Sequence, residues 1–555
     1  MTRGIAALTL AAAAVYVTCV ARQLDRPLMY DDANFALAAR AVADTGLPYG
    51  NQGWMSDRGD FSHREQWALW HPPLYIYLEG ALSKLGGWTP PVLRLPGLFG
   101  GLAAALLTYL IAKQVTRGPP VMREAAGAAA ATLFLLCPLV VQSALVVDID
   151  FALMLPLTLL FLSLYLRLEQ TRTRWLSLAP LFALLLWAKM TNPLALLAVV
   201  TVWQVVGGHP KRAAVQFAGI GLGGAALFGA SWLAIGTALG FPLDMPFGVN
   251  AVQWQDSAEV ARRAYVSPGA FVQGLQPSAI WLGPGLVALG LAGVAIRGGQ
   301  LTRCWRVRRA DVLIGLLIVF VTGYVNKEAG WFPKYQVAIA PVLACLAAPL
   351  LAQAWCARPR PTLGAAAVGL VAAAAVTLGL VRDDWALRRT WTIDPVAGAW
   401  LLGIGLLAVG VGWRYRAAAP AWGAALVGIA LGWSIAVDGY QQQAAYQTDY
   451  WYGTRGTLDA AAWLDANVAT EDTYLAAKEV AIRAHPERYV DQDNLVYLLS
   501  TGRGFRGAWA GEPLKALVLW QRDAYLADLF GRTLPAAGFR EVGRFGDYVV
   551  YAPSS

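Results

Sequence analysis

Across 555 residues the chain is 57% apolar and only 14% charged, with a mean hydropathy of +0.47. That balance excludes a soluble globular protein and calls for repeated crossing of a bilayer. A net charge of +9 would suit nucleic acid in a soluble domain, but here Lys and Arg fall in short loops between apolar runs, where they set orientation, so nucleic acid is set aside as a partner. The five cysteines are scattered and offer neither a disulfide framework nor Cys-x-x-Cys metal spacing.

In chain order, residues 4 to 20 follow Arg3 and lack a good small-residue cleavage site, so they read as an uncleaved first span. Beyond them Tyr30-Asp31-Asp32-Ala33-Asn34 opens an amphipathic segment. Phe35, Ala38, Ala39 and Val42 recur at helical spacing while Asn34 and Arg40 face elsewhere, as in a helix lying in the membrane interface. Taken alone, Asp31 or Asp32 reads first as the cap of that helix. The residues that accompany the pair favour a chemical role.

Further apolar runs able to cross about 30 Å of hydrocarbon fall near 93–113, 122–144, 150–166, 175–188, 193–207, 214–236, 278–297, 311–325, 336–355, 361–381, 396–413 and 420–438. With the first run this gives about thirteen transmembrane helices. Basic residues mark every second loop: Arg3; Lys113, Arg117 and Arg123; Arg167, Arg172 and Arg174; Lys211 and Arg212; Arg303, Arg306, Arg308 and Arg309; Arg358 and Arg360; Arg414 and Arg416. These loops are expected in the cytoplasm, with the N-terminus. The parity holds only if Pro72–Leu85 does not cross, so that segment is read as an interfacial or re-entrant helix begun by His71-Pro72-Pro73. Residues 21–92 then form the first outer loop, with 145–149, 237–277, 326–335, 382–395 and the tail from about 440 on the same outer side. The run 175–206 breaks at Lys189-Met190-Thr191-Asn192-Pro193. A lysine there either snorkels or faces a polar cavity or an anion.

After Tyr440 the long apolar runs stop. Residues 461–468 read as an amphipathic helix, and 514–520 and 547–551 as strands, with 534–539 between them. The expected fold is therefore an α-helical polytopic membrane protein, residues 1–440, followed by a small soluble α/β domain, residues 441–555, outside the cytoplasm. No glycine-rich nucleotide loop follows a strand in the tail.

The outer face collects Asp31-Asp32, His63-Arg64-Glu65, Trp70-His71-Pro72-Pro73-Leu74, Asp148-Ile149-Asp150, Lys189, Lys327-Glu328 and Pro333-Lys334-Tyr335. Ionisable groups at a membrane edge are costly, so several on one side of otherwise clean spans point to a site there. His63, Glu65 and His71 also supply donors of the kind Zn²⁺ or Mn²⁺ accepts, although their spacing fits no compact site without Asp31 or another acid. A divalent metal is thus an open cofactor. Asp244, Asp256, Glu259, Arg262 and Arg263 in the loop 237–277 read either as sugar contacts or as a solvated surface.

Several of these stretches resemble the polytopic C-type glycosyltransferases, in the branch that contains protein O-mannosyltransferases and lipid A aminoarabinose transferases. The likeness rests on Asp31-Asp32, where relatives usually carry Asp-Glu; His71-Pro72-Pro73-Leu74; Arg94-Leu95-Pro96; Asp150-Phe151-Ala152-Leu153; Ala188-Lys189; and Lys334-Tyr335 six residues before Pro341. The chain departs from the pattern in Asp32 and in offering two acids, Asp148 and Asp150, where one is typical. The resemblance implies inverting transfer of a sugar from a polyprenyl-phosphate carrier to a hydroxyl acceptor, on a lipid, glycan or protein, at the outer face of a bacterial cytoplasmic membrane. Asp31 is the expected base, with Asp32 or Asp150 orienting the acceptor or sharing the task. Lys189, His71, Lys334 and Arg64 are the expected phosphate-binding groups and Tyr335 a donor. A flippase of lipid-linked saccharide is the alternative. It would place its ionisable residues near the mid-membrane in two matching halves, which the sequence does not show.

Overall fold

In a computed structural model, the structure describes residues 2–28, 30–49, 67–171, 173–245, 247, 282–303, 307–324, 334–356, 455–485, 488–500, 505–509, 512–521 and 524–554. The expected spans 361–381, 396–413 and 420–438 and the expected domain boundary near 440 lie outside these residues. The described N-terminal part is helical: α1 Thr2–Ala21, α2 Tyr30–Thr45, α3 Leu74–Gly86, α4 Pro90–Val115, α5 Pro120–Leu135, α6 Pro138–Ser143, α7 Leu155–Leu168, α8 Leu178–Ala188, α9 Thr191–Val206, α10 Pro210–Gln216, α11 Gly223–Leu239, α12 Pro284–Arg303, α13 Asp311–Tyr324 and α14 Ile339–Cys356. Among the described residues four continuous helical stretches, Pro90–Val115, Asp150–Leu168, Pro210–Leu239 and Lys334–Gln353, are long and apolar enough to cross a membrane. The protein is a multi-pass membrane protein.

Prolines set many of the boundaries, because a residue without an N–H fits the first turn of a helix and not its interior. Pro90, Pro120, Pro138 and Pro210 each stand at or next to a helix start. The expected single span 122–144 is in fact two pieces, α5 and α6, divided at Leu136-Cys137 ahead of Pro138. The α3 helix has 13 residues, about 20 Å at 1.5 Å per residue, shorter than the hydrocarbon core is thick, and it packs on α2.

The central column is α4, which packs on α3, α5, α7 and α14. A row of glycines permits the closest approach. A Cβ on Gly97 would stand 2.3 Å from the Ala144 carbonyl oxygen and one on Gly100 would stand 2.5 Å from that of Ala152. Small residues let helix backbones touch where lipid offers no hydrophobic drive to associate. Here they bring the 144–152 segment against the first turns of α4. That segment ends in a π-helical turn, Asp150–Met154, which runs directly into α7.

The tail forms a sheet of order β2-β1-β5-β7-β6, from β1 Tyr474–Ala476, β2 Tyr489–Asp491, β5 Leu517–Trp520, β6 Phe539–Phe545 and β7 Tyr548–Pro553. A separate two-stranded ribbon pairs β3 Ala508–Trp509 with β4 Glu512–Pro513. In the sheet β1 runs parallel to β2 and β5, while β7 runs antiparallel to β5 and β6. The Leu517-Val518-Leu519 run is apolar throughout because both faces of β5 are covered: Val518 lies in one core, Leu517 and Leu519 in the other. The tail is joined to the helical part through α2. Phe35, Ala36, Ala38, Ala39 and Val42 belong to the helical core, whereas Leu37 lies in the tail core beside Ala460, Ala461 and Val480. The short helix Lys478–Ala481 makes this contact with α2.

Candidate active site

The site is assembled around the first turns of α4. Arg94 is 1% exposed, and its guanidinium donates to four carbonyls: Leu145 at 2.6 Å, Leu24 at 2.7 Å, Arg26 at 2.6 Å and Pro27 at 3.0 Å. A fifth bond, 3.1 Å, goes to Asp32 Oδ2, and Asp32 Oδ1 accepts the Val147 N–H at 2.7 Å. One planar fork therefore ties the loop before α2, the start of α2 and the segment before α7 into one block. Asp32, itself 1% exposed, is part of that block.

Three residues after Leu145 the chain presents Asp148, whose Oδ1 accepts the Asp150 N–H at 3.1 Å and whose Oδ2 pairs with Lys334. Asp150, at the start of the π-helical turn, receives Lys189 Nζ on both oxygens, at 2.7 and 2.8 Å. Lys189 is 5% exposed and stands at the C-terminal end of α8, where the helix dipole favours a cation. The Tyr335 ring lies within cation–π distance of both ammonium groups, its centroid 4.7 Å from Lys189 Nζ and 5.0 Å from Lys334 Nζ. Burial pushes the Asp148 carboxyl up, but Lys334 and Lys189 outweigh it and hold the group below the usual carboxylate range. It is a fixed anion at neutral pH.

This cluster gathers three segments far apart in sequence, 148–150, Lys189 and 334–335. Asp148, Asp150, Lys189, Lys334 and Tyr335 come together as the one-sided spacing of the outer loops implies. His71 is half-buried in the turn leading to α3, and Asp244 is exposed. Asp31 occupies the first turn of α2, and its side chain lies outside the described residues. His63, Arg64, Glu65, Lys327, Glu328, Asp256, Glu259, Arg262 and Arg263 lie outside them as well. Among the described residues no group of three or more His, Cys, Asp or Glu side chains could hold a metal ion.

A crevice leads away from the cluster between α7, α13 and α14. Asp150, Asn192 and Tyr335 line its polar end, and Leu155, Leu159, Leu162, Leu316 and Phe320 line the rest. Its cavity volume is about 20 Å³, room for a single water; a larger apolar guest would have to part the helices.

Glu79 has no counterpart in the sequence reading. It is fully buried on α3, accepts the Tyr75 O–H at 2.5 Å, and is raised to about 8, chiefly by burial and in part by the nearby negative Asp32. The signal was a single Glu inside the apolar Leu74–Leu85 run with Tyr75 one helical turn before it. A folded-state value above the unfolded one means that the native protein keeps a proton which the unfolded chain has released. Stability should therefore fall as pH rises from about 4.5 to about 8, by on the order of 4 kcal/mol. Glu79→Gln should flatten this slope, being equal to wild type near pH 4 and more stable near pH 8. Thermal unfolding of the two proteins across that range in one detergent decides it; parallel curves would mean that Glu79 is ionised in place.

No protein-family model and no curated protein matches the chain. Solved structures do. The crystal structure of ArnT from Cupriavidus metallidurans bound to undecaprenyl phosphate superposes with a TM-score of 0.55 at 17% identity, covering 98% of this chain and 97% of that one. The apo state of the same protein gives 0.53 at 17% identity over the same shares. Both superpositions run over nearly the full length of the two chains, and this chain has the polytopic fold of the C. metallidurans protein.

Proposed function

We propose that the protein is an inverting glycosyltransferase that moves a sugar from a polyprenyl-phosphate donor to a hydroxyl acceptor at the outer face of a bacterial cytoplasmic membrane. The observation that carries this reading is the pair of ammonium groups, Lys189 and Lys334, held beside Tyr335 where an apolar crevice begins. Such a polar end and apolar length suit a ligand whose phosphate is joined to a hydrocarbon chain. The C. metallidurans protein of the same fold was crystallised with undecaprenyl phosphate, a molecule of that description.

In the reaction the acceptor oxygen forms a bond to the anomeric carbon while the bond from that carbon to the phosphate oxygen breaks. The electron pair leaves with polyprenyl phosphate, and the acceptor proton passes to a carboxylate. Asp31 is assigned as that base, since it precedes the anchored Asp32 in the first turn of α2. Negative charge growing on the departing phosphate meets Lys189 and Lys334, with the Tyr335 hydroxyl, His71 and Arg64 as further donors. Asp148 and Asp150 aim the two ammonium groups, and Asp32 fixes the frame. A flippase would need its charges near mid-membrane, whereas Asp150 and Lys189 both stand at helix ends.

The test is complementation of a deletion strain, read by mass spectrometry of envelope lipids and glycoproteins. A glycan mass should vanish on deletion and return with the wild-type chain. At equal membrane abundance Asp31→Asn should restore less than about 1% of it, since a positioned base contributes roughly 10²–10⁴-fold. Full restoration by Asp31→Asn would remove the assigned base; an unchanged envelope on deletion would remove the transferase reading.

A further inference from the structure

The opposite end of the bundle holds a second cavity, and we infer that it binds the phosphate group of an anionic ligand. The helices that reach the candidate active site at Arg94 and Asp150 end at the other side of the membrane at Val115 and Leu168. Between those ends lies a cavity of about 510 Å³, larger than a phosphate ion needs and in the range of small-molecule sites. Arg117, Arg123, Arg212, Arg308 and Arg309 line it, and Glu169 is the one carboxylate in its wall among the described residues. Five guanidiniums against one carboxylate leave an excess of four positive charges around one hollow.

Glu169 is 3% exposed and receives Arg309 Nε at 2.9 Å, while its carbonyl accepts Gln216 Nε2 at 2.9 Å. It is committed to the floor. Arg308 donates to Gln300 Oε1 at 2.9 Å and Arg123 to the Lys113 carbonyl at 3.2 Å, both uncharged acceptors. Arg117 and Arg212 are exposed at the rim and form no ion pair among the described residues. The charge bias of cytoplasmic loops explains why each loop is basic. It does not explain why arginines from three loops surround one concavity, since like charges repel unless an anion lies between them. Guanidinium forks match phosphate oxygens in geometry.

Two neighbours favour a lipid headgroup over a soluble phosphate. Trp203 lines the cavity with its indole N–H on the Arg308 carbonyl at 2.9 Å, a placement typical of headgroup depth. Val202, Val205 and Val206 are exposed on the same turns of α9, so acyl chains could lie alongside. Basic pockets between membrane helices on the cytoplasmic side are suited to anionic headgroups. The site is remote from the Lys189 and Lys334 cluster and stands or falls independently of the transfer reaction.

The experiment uses the full chain in zwitterionic detergent, titrated with phosphatidylglycerol, phosphatidylcholine or inorganic pyrophosphate and followed by native mass spectrometry and thermal unfolding. Phosphatidylglycerol should be retained and should raise the unfolding temperature, phosphatidylcholine should do neither, and Arg117→Gln/Arg212→Gln should weaken retention about tenfold or more, as expected for the loss of two charge-assisted contacts. Arg117→Lys/Arg212→Lys should keep most of the binding. Pyrophosphate binding that depends on the same two arginines, without phosphatidylglycerol retention, would support the phosphate site and assign it to a soluble ligand. Binding of neither anion above phosphatidylcholine, or anion binding unchanged in the glutamine variant, would overturn the inference.

Discussion

Lys189→Met should lose both stability and turnover, and the two losses should separate in a second variant. Lys189 is 5% exposed and is held on both oxygens of Asp150, so removing it strands a buried carboxylate, which typically costs about 3–5 kcal/mol. Turnover should fall by roughly 10²–10³-fold or more if the ammonium group also meets the charge developing on the departing phosphate. In Asp150→Asn/Lys189→Met the stranded charge is gone, and the unfolding temperature should return most of the way to wild type. If the proposed transfer is the activity, release of polyprenyl phosphate from the sugar donor should stay low. Recovery of turnover in the double variant would make Lys189 a counter-ion of Asp150 and nothing more.

Arg94→Ala is expected to prevent recovery of folded protein altogether. It would leave the buried carbonyl of Leu145, the buried carboxylate of Asp32 and the half-buried carbonyls of Leu24, Arg26 and Pro27 without this donor. At about 1–3 kcal/mol for each unsatisfied group, the sum rivals the whole stability of a typical domain. Arg94→Lys should fare little better, because one ammonium cannot reach donors set around a planar fork. Yield of monodisperse protein after size-exclusion chromatography measures it. Near-normal yield and unfolding temperature in either variant would show that the block formed by α2, α4 and the 144–148 segment is held by packing instead.

The helices, and the grouping of Asp148, Asp150, Lys189, Lys334 and Tyr335, were legible because bilayer thickness fixes span length and loop charge fixes side. Those two rules alone bring Asp148 and Lys334, 186 positions apart, to one surface. Which partner each charge takes was not legible. Asp31 and Asp32 are chemically identical neighbours, and only a helix's rotation distinguishes the one that meets Arg94. Arg94 looked like the start of a span, since nothing in Arg94-Leu95-Pro96 announces four backbone acceptors elsewhere in the chain. The π-helical turn at Asp150–Met154 leaves no periodic trace, because one wide turn is shorter than any hydrophobic repeat. In the tail, β5 and β7 follow from their apolar runs, while β1 and β2 are three residues each, too brief for alternation to show.

One helix serves two hydrophobic interiors: α2 gives Phe35 and Ala39 to the bundle and Leu37 to the sheet domain. In any recombination among proteins of this architecture, the module that can be exchanged is accordingly not the C-terminal domain alone. Its partner surface is written about 440 residues upstream, between Leu37 and Val480, beside the two aspartates. Grafting a foreign tail would require carrying over that stretch of the N-terminal region as well.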